Sequence, residues 1–239
     1  MPLDFTNRAQ LEAFDEHCIQ YGKLLSINTQ DCPALRLLHD QFTASGIVGA
    51  ELSRRIALAL EIKLGFLHTY YDLHMLLSIE NRYLVPDELR ALYRPLDDVV
   101  SFSVALRRSR AAFGLITRIR SLWDKAFLYV ALTYEDDATV RQLQTQRSKR
   151  KFFFRHFAAG FGTVTAETLT LASAALESLE RDFRTPELHG FGKIRKWVFD
   201  TPADWDTQHS SALTEHWSVL NTFLYEVFAA SSTYRSSIE

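Results

Sequence analysis

Apolar residues recur every three or four positions through most of the chain, which is the spacing of one face of an α-helix. Leu11, Phe14, Cys18, Tyr21 and Leu25 make the first such stripe, in a helix that starts at Thr6 or, with Asn7 as the cap, just after it. Asn28 to Pro33 reads as a turn, and Ala34 to Phe42 as a short helix closing near Gly46. From Ile47 to Arg82 the periodicity is long and sustained. Ile56, Leu60, Leu64, Leu67, Tyr71, Met75 and Ile79 fall on one stripe, with Gly49 and Gly65 as points where a kink can form. Pro86 and Pro95 bracket a connecting segment. A second long run goes from Leu96 to Tyr134, with Val104, Ile116, Ile119, Trp123, Phe127 and Val130 on its apolar side, and Glu135, Asp136 and Asp137 end it.

Beyond that point the pattern predicts one helix over Ala138 to Ala159, a break at Gly160 and Gly162, and a helix from Ala166 to Phe183 capped by Thr165. Thr185 is then a suitable N-cap and Pro186 a suitable first helical residue, so a new helix is expected to begin there. Asp200 to Ser210 reads as a loop and Ala212 to Ala230 as the last amphipathic helix. The expected fold is all-α: an antiparallel bundle of long helices in a single domain spanning 1–239. Its parts are N-terminal helices over 1–95, a core over 96–200 and a C-terminal helix over 201–239.

Composition supports this picture and narrows the setting. Only 9 Gly and 6 Pro interrupt 239 residues, and a 47% hydrophobic, 23% charged chain can fill a core. No apolar stretch reaches the roughly 18 residues a membrane span needs, so no membrane partner is expected. The first residues lack the basic-then-apolar start of a secretory signal. Cys18 and Cys32 are the only cysteines, too few for a disulfide framework, and a reduced, cytoplasmic setting follows as the expectation. The net charge is −2, but it is unevenly spread. Residues 99–155 hold 12 Lys+Arg against 4 Asp+Glu, whereas 1–98 hold 9 against 14 and 156–239 hold 6 against 11. A basic middle between acidic flanks points to a polyanion or to an internal acidic partner.

Three groups of residues carry candidate chemistry. An arginine at a helix start, with an imidazole one turn inside it, can hold a phosphate and move a proton. Arg184 and His189 have that spacing across the expected Thr185 cap. The pattern Arg-x4–6-His is cheap, and about two occurrences are expected by chance in a chain with this many Arg and His. Two occur, the other being Arg150…His156, which falls inside what reads as a continuous helix. The second group is Arg120, Ser121, Trp123, Asp124 and Lys125. Arg120 and Asp124 are i,i+4 neighbours, and Asp124 is placed to orient Arg184 or His189. The third is the run Arg147, Lys149, Arg150, Lys151, Phe152, Phe153, Phe154 and Arg155, cationic and aromatic together, as nucleic-acid surfaces are. The alternatives are a structural histidine, an intrahelical ion pair and a solvated basic face. Other chemistries lack their motifs: there is no Glu-x-x-His, no phosphate-binding Gly-rich loop and no Gly-x-Ser-x-Gly. His68, Asp72 and His74 do not share a helix face, so neither a metal nor a cofactor is expected.

The helix carrying Arg120, Ser121, Leu122, Trp123, Asp124 and Lys125, followed by Arg184-x4-His189, resembles the HEPN superfamily of small α-helical proteins of prokaryotic defence and toxin–antitoxin systems. The likeness spans roughly 96–200. It implies a homodimeric, metal-independent endoribonuclease. In it Arg184 binds the scissile phosphate, His189 acts as general acid or base, and Asp124 positions them. Arg120, Lys125, Arg147, Lys149, Arg150, Lys151 and Arg155 would contact RNA. Thr185 departs from the Asn, Asp or His that often follows the arginine in active members, which leaves a second expectation: a non-catalytic module binding a nucleotide, nucleic acid or protein partner.

Overall fold

The computed structural model describes residues 4, 6–24, 34–81, 97–186 and 207–233, with side chains described except at 75, 77–81, 97–108, 207–210 and 230–233. Among these the chain is all-α, and no strand occurs beyond an isolated antiparallel bridge between Phe161 and Val164. In order, the helices are α1 (Arg8–Leu24), α2 (Leu35–Ala44), α3 (Gly49–Asn81), α4 (Asp97–Tyr134), α5 (Asp137–Thr145), α6 (Lys149–His156), α7 (Ala166–Leu179) and α8 (Thr207–Thr233). A π-helical turn, Glu180–Arg184, prolongs α7. The expected turn at Asn28–Pro33, the segment between Pro86 and Pro95, and Cys32 lie outside the described residues.

Local signals set most of the ends. Asn7, not Thr6, opens α1: its Oδ1 accepts from the Gln10 N–H at 3.2 Å. Gly46 closes α2 at φ 78°, a conformation side chains with a Cβ avoid. Thr165 caps α7 as expected, its Oγ1 accepting from the Thr168 N–H at 3.2 Å. Two expected boundaries are corrected. The single helix over 138–159 is two helices, because Gln146 is extended at ψ 133° and Ser148 caps a fresh start by accepting from the Lys151 N–H at 3.4 Å. Thr185 is no N-cap. It is helical at φ −65° and ψ −47°, and its N–H already bonds the Glu180 carbonyl, so the backbone runs on through Pro186. The loop expected over 200–210 ends early, since 207–210 are already in α8.

The chain divides into two compact units. One comprises the described parts of Met1–His68, Ser121–Ala174 and Val219–Glu239; the other those of Thr69–Arg120 and Ala175–Ser218. In the first, α1 buries Leu11, Asp15, Cys18 and Gly22, leaving Tyr21 exposed. α3 likewise buries Leu52, Ile56, Ala59, Lys63, Phe66 and Leu67 while Leu64 is exposed, so each expected stripe is met in part, by Leu11 and Cys18 and by Ile56 and Leu67, and one charged residue joins each inward face. The two charged residues are a pair. Asp15 turns inward, and its two carboxylate oxygens accept from the N–H groups of Leu35 and Arg36, each at 3.0 Å. Those are orphan donors of the first turn of α2, whose own N-cap, Ala34, offers no side-chain acceptor. Lys63 of α3 donates to the same carboxylate at 2.5 Å, and both side chains are about 95% enclosed (5% and 4% exposed).

The rest of this unit's core is aromatic. Trp123 and Phe127 of α4 point inward together, as their spacing predicts. Trp123 packs on Phe223 of α8 with ring centroids 4.9 Å apart, and Phe127 stacks on Phe153 of α6 at 4.3 Å. A Cβ on Gly65 would lie 2.7 Å from Leu122 Cδ2, so the glycine is where α4 comes close. In the second unit, Tyr70 meets Trp217 edge-on at 6.3 Å, and Arg118 Nε donates to Asp72 Oδ2 at 2.5 Å. Among the described residues no helix is long and apolar enough to cross a membrane.

The buried pair makes a prediction about stability. Asp15→Ala uncaps α2 and leaves the Lys63 ammonium enclosed without its carboxylate, a loss of about 3–5 kcal/mol. Lys63→Met leaves the carboxylate its two backbone donors and costs less. Urea unfolding of the two variants beside the wild type gives the order, and a smaller loss for Asp15→Ala than for Lys63→Met would contradict it.

Candidate anion-binding site

Arg184 sits at the end of the π-helical turn, in the second unit. A π turn is wide, with the N–H of residue i+5 bonding the carbonyl of residue i, and such turns are rare and frequent at functional sites. Here Thr185 bonds Glu180 across it. The turn sets Arg184 Nη1 3.9 Å from Glu180 Oε1, within ion-pair reach but beyond a hydrogen bond. Arg184 is 43% exposed and makes no hydrogen bond to a described residue, so its donors are open to solvent. The same Glu180 oxygen accepts from Arg120 Nε of α4 at 2.7 Å, with Arg120 13% and Glu180 21% exposed. Two guanidinium groups thus share one mostly enclosed carboxylate.

The residues expected to act with Arg184 fare differently. His189 lies outside the described residues. Asp124 belongs to the first unit, where it is half-buried with Oδ1 shut off from solvent. Its neighbour Lys125 is tied to Glu61 of α3 at 3.3 Å. The imidazole that the described structure does bring to the π turn is one the sequence pattern passes over. His216 of α8 meets Phe183 edge-on at 5.8 Å. Burial there lowers its proton affinity below the ordinary histidine value, against a smaller opposing pull from Glu215 and Asp182.

The basic run of 147–155 lies in the first unit and is split by the fold. Phe152 and Phe153 are core residues and Phe154 is half-buried, set edge-on to Phe127 at 5.4 Å, so the three rings are spent mainly on packing. The cations are not so engaged. Arg147, Lys149, Lys151 and Arg155 form no ion pair among the described residues, and Arg147, Lys151 and Arg155 are exposed. Arg147, Lys149 and Lys151 also gather at the start of α6, where the helix dipole is positive and repels them. The arrangement favours a bound anion on electrostatic grounds.

The second Arg-x5-His occurrence is also recast. Arg150 is in the first turn of a helix capped by Ser148, not midway along one, so the capped start belongs to Arg150 rather than to Arg184. His156 stacks on Phe152 with its plane 9° away, and its Nε2 is 3.0 Å from Glu135 Oε1. That contact fastens the end of α6 to the residue following α4. Among the described residues no three His, Cys, Asp or Glu gather as metal ligands would.

No family model, no curated protein and no solved structure matches the chain.

His216 gives a pH prediction. Burial lowers its value in the folded state, so as pH falls below about 6.5 the unfolded chain takes up the proton first and stability drops. The drop stops once the folded group is protonated too, and above the ordinary value there is none. The urea midpoint of the wild type should therefore fall more between pH 7.5 and pH 5.5 than that of His216→Leu. Equal falls in the two proteins would exclude the effect.

Proposed function

We propose that this protein is a HEPN-like, metal-independent endoribonuclease, of the kind that works as a homodimer in prokaryotic defence or toxin–antitoxin systems. Arg184 binds the scissile phosphate, and His189 moves the proton of the attacking 2′-hydroxyl or of the leaving 5′-oxygen. The observation that carries this is Arg184 itself: a guanidinium fixed beside a carboxylate while its hydrogen-bond donors stay open. An arginine in that condition can form the bidentate contact that a phosphate offers. Preorganised donors of this type stabilise the charge that develops in phosphoryl transfer.

One observation favours a second function, binding without turnover, of RNA or another nucleic acid, a nucleotide or an acidic protein partner. It is the uncompensated charge of Arg147, Lys149, Lys151 and Arg155. With the Phe152–Phe154 rings given to the core, contact on this surface is electrostatic rather than by base stacking, and it tracks the phosphate backbone.

Two measurements test these assignments. Purified protein incubated in EDTA with single-stranded RNA should leave products ending in a 2′,3′-cyclic phosphate, and His189→Ala should lower the rate by about 10²–10⁴-fold. RNA left intact by the wild type across varied sequences rejects the nuclease. Changing Arg147, Lys149, Lys151 and Arg155 together to Gln should weaken RNA binding and flatten the slope of log K against log salt by roughly 0.7 for each phosphate no longer neutralised. An unchanged slope places the RNA elsewhere.

A further inference from the structure

Resting on the assignment of Arg184 to a phosphate, we infer that Glu180 and Arg120 form a relay that holds the Arg184 guanidinium ready for that phosphate, with Glu180 as a positioning residue. The relay begins at Arg120 on α4, whose Nε donates to Glu180 Oε1 at 2.7 Å. With only 13% of the arginine and 21% of the glutamate exposed, this bond is screened little by water and fixes the carboxylate. Glu180 in turn sits 3.9 Å from Arg184 Nη1 through the same oxygen. At that separation Coulomb attraction restrains the guanidinium without taking a hydrogen bond from it. A directly hydrogen-bonded arginine would have to break that bond before receiving a ligand. Arg184 need not.

The wide turn makes this placement. Glu180 and Arg184 are its first and last residues, and the backbone hydrogen bond that an α-helix would form from the Arg184 N–H to Glu180 O is replaced by one from Thr185. The departure from α geometry thus falls on the two residues whose side chains pair. Beyond the pairing, Arg184 is the exposed end of the group, so its positive charge is the one that faces solvent. A phosphodiester oxygen is the ligand that fits it, being anionic, and able to accept two donors from one guanidinium.

The charge of Glu180 makes the test decisive. If Glu180 acted only as a negative charge near the site, or as a rival anion for Arg184, removing it would tighten RNA binding. If it positions Arg184, removing it loosens binding although the site becomes more positive. Binding of a fluorescent single-stranded RNA oligonucleotide is measured by anisotropy for full-length wild type, Glu180→Gln, Arg184→Ala and the double variant. The expected result is about tenfold weaker binding in Glu180→Gln, and no further loss when that change is added to Arg184→Ala. A merely structural role would add its loss in both backgrounds, and Glu180→Asp, which keeps the charge, should recover part of the affinity. Tighter binding in Glu180→Gln, or additive losses, overturns the relay while leaving the phosphate role of Arg184 intact. Equal binding by wild type and Arg184→Ala overturns that role and the relay with it.

Discussion

The carboxylate of Asp15 is asked to serve three helices at once. It belongs to α1, it accepts from the first two backbone N–H groups of α2, and it takes the ammonium of Lys63 on α3. None of the three could be enclosed alone: the carboxylate and the ammonium would each lose their hydration, and the α2 donors would go unpaired. Together they satisfy one another, and the helices must therefore meet in one register. The neighbouring Cys18 thiol feels the same enclosure, since burial raises its pKa while Lys63 pulls the other way. Aromatic packing of Trp123, Phe127, Phe153 and Phe223 then fills the unit around that fixed point.

Charge is managed differently where a ligand would bind. Lys63 and Arg120 are enclosed and matched to carboxylates, as the cost of an isolated internal ion requires. Arg184 is left with open donors, and Arg147, Lys149, Lys151 and Arg155 form no ion pair among the described residues. Exposed cations lose little by standing alone, so stability does not dictate their arrangement. Three of the cations of 147–155 crowd the start of α6, where the helix dipole opposes them.

The fold class was legible because long amphipathic runs with few breakers leave little else to build, and Leu96 to Tyr134 is the clearest case: it is one helix from Asp97 to Tyr134. The buried face was legible only in part in α1 and α3, where Leu11, Cys18, Ile56 and Leu67 are buried but Tyr21 and Leu64 are not. A stripe read from apolar residues cannot anticipate that an aspartate and a lysine turn inward as a pair. The break at Gln146–Ser148 escaped for a related reason, since three residues scarcely disturb a helical period, although Ser148 is a recognisable cap. Thr185 followed by Pro186 reads as a helix start in any sequence, yet the N–H that would await a cap is already bonded across the wide turn. Of the candidate site, Arg184 could be picked out by spacing, whereas Glu180 could not: its value comes from Arg120, sixty positions earlier, and only the packing of α4 brings them together.

The five residues Glu180–Arg184 hold one more than an α turn would accommodate. Loss of a single residue from this stretch would let the backbone relax to the ordinary pitch with little rotation of the chain beyond it, because the wide turn and the α turn each complete about one revolution. Arg184 would then stand three positions after Glu180 instead of four, on the same face but meeting it at a different angle. The extra residue is thus absorbed locally: it tunes how two side chains face each other and spares the register of the helix before it.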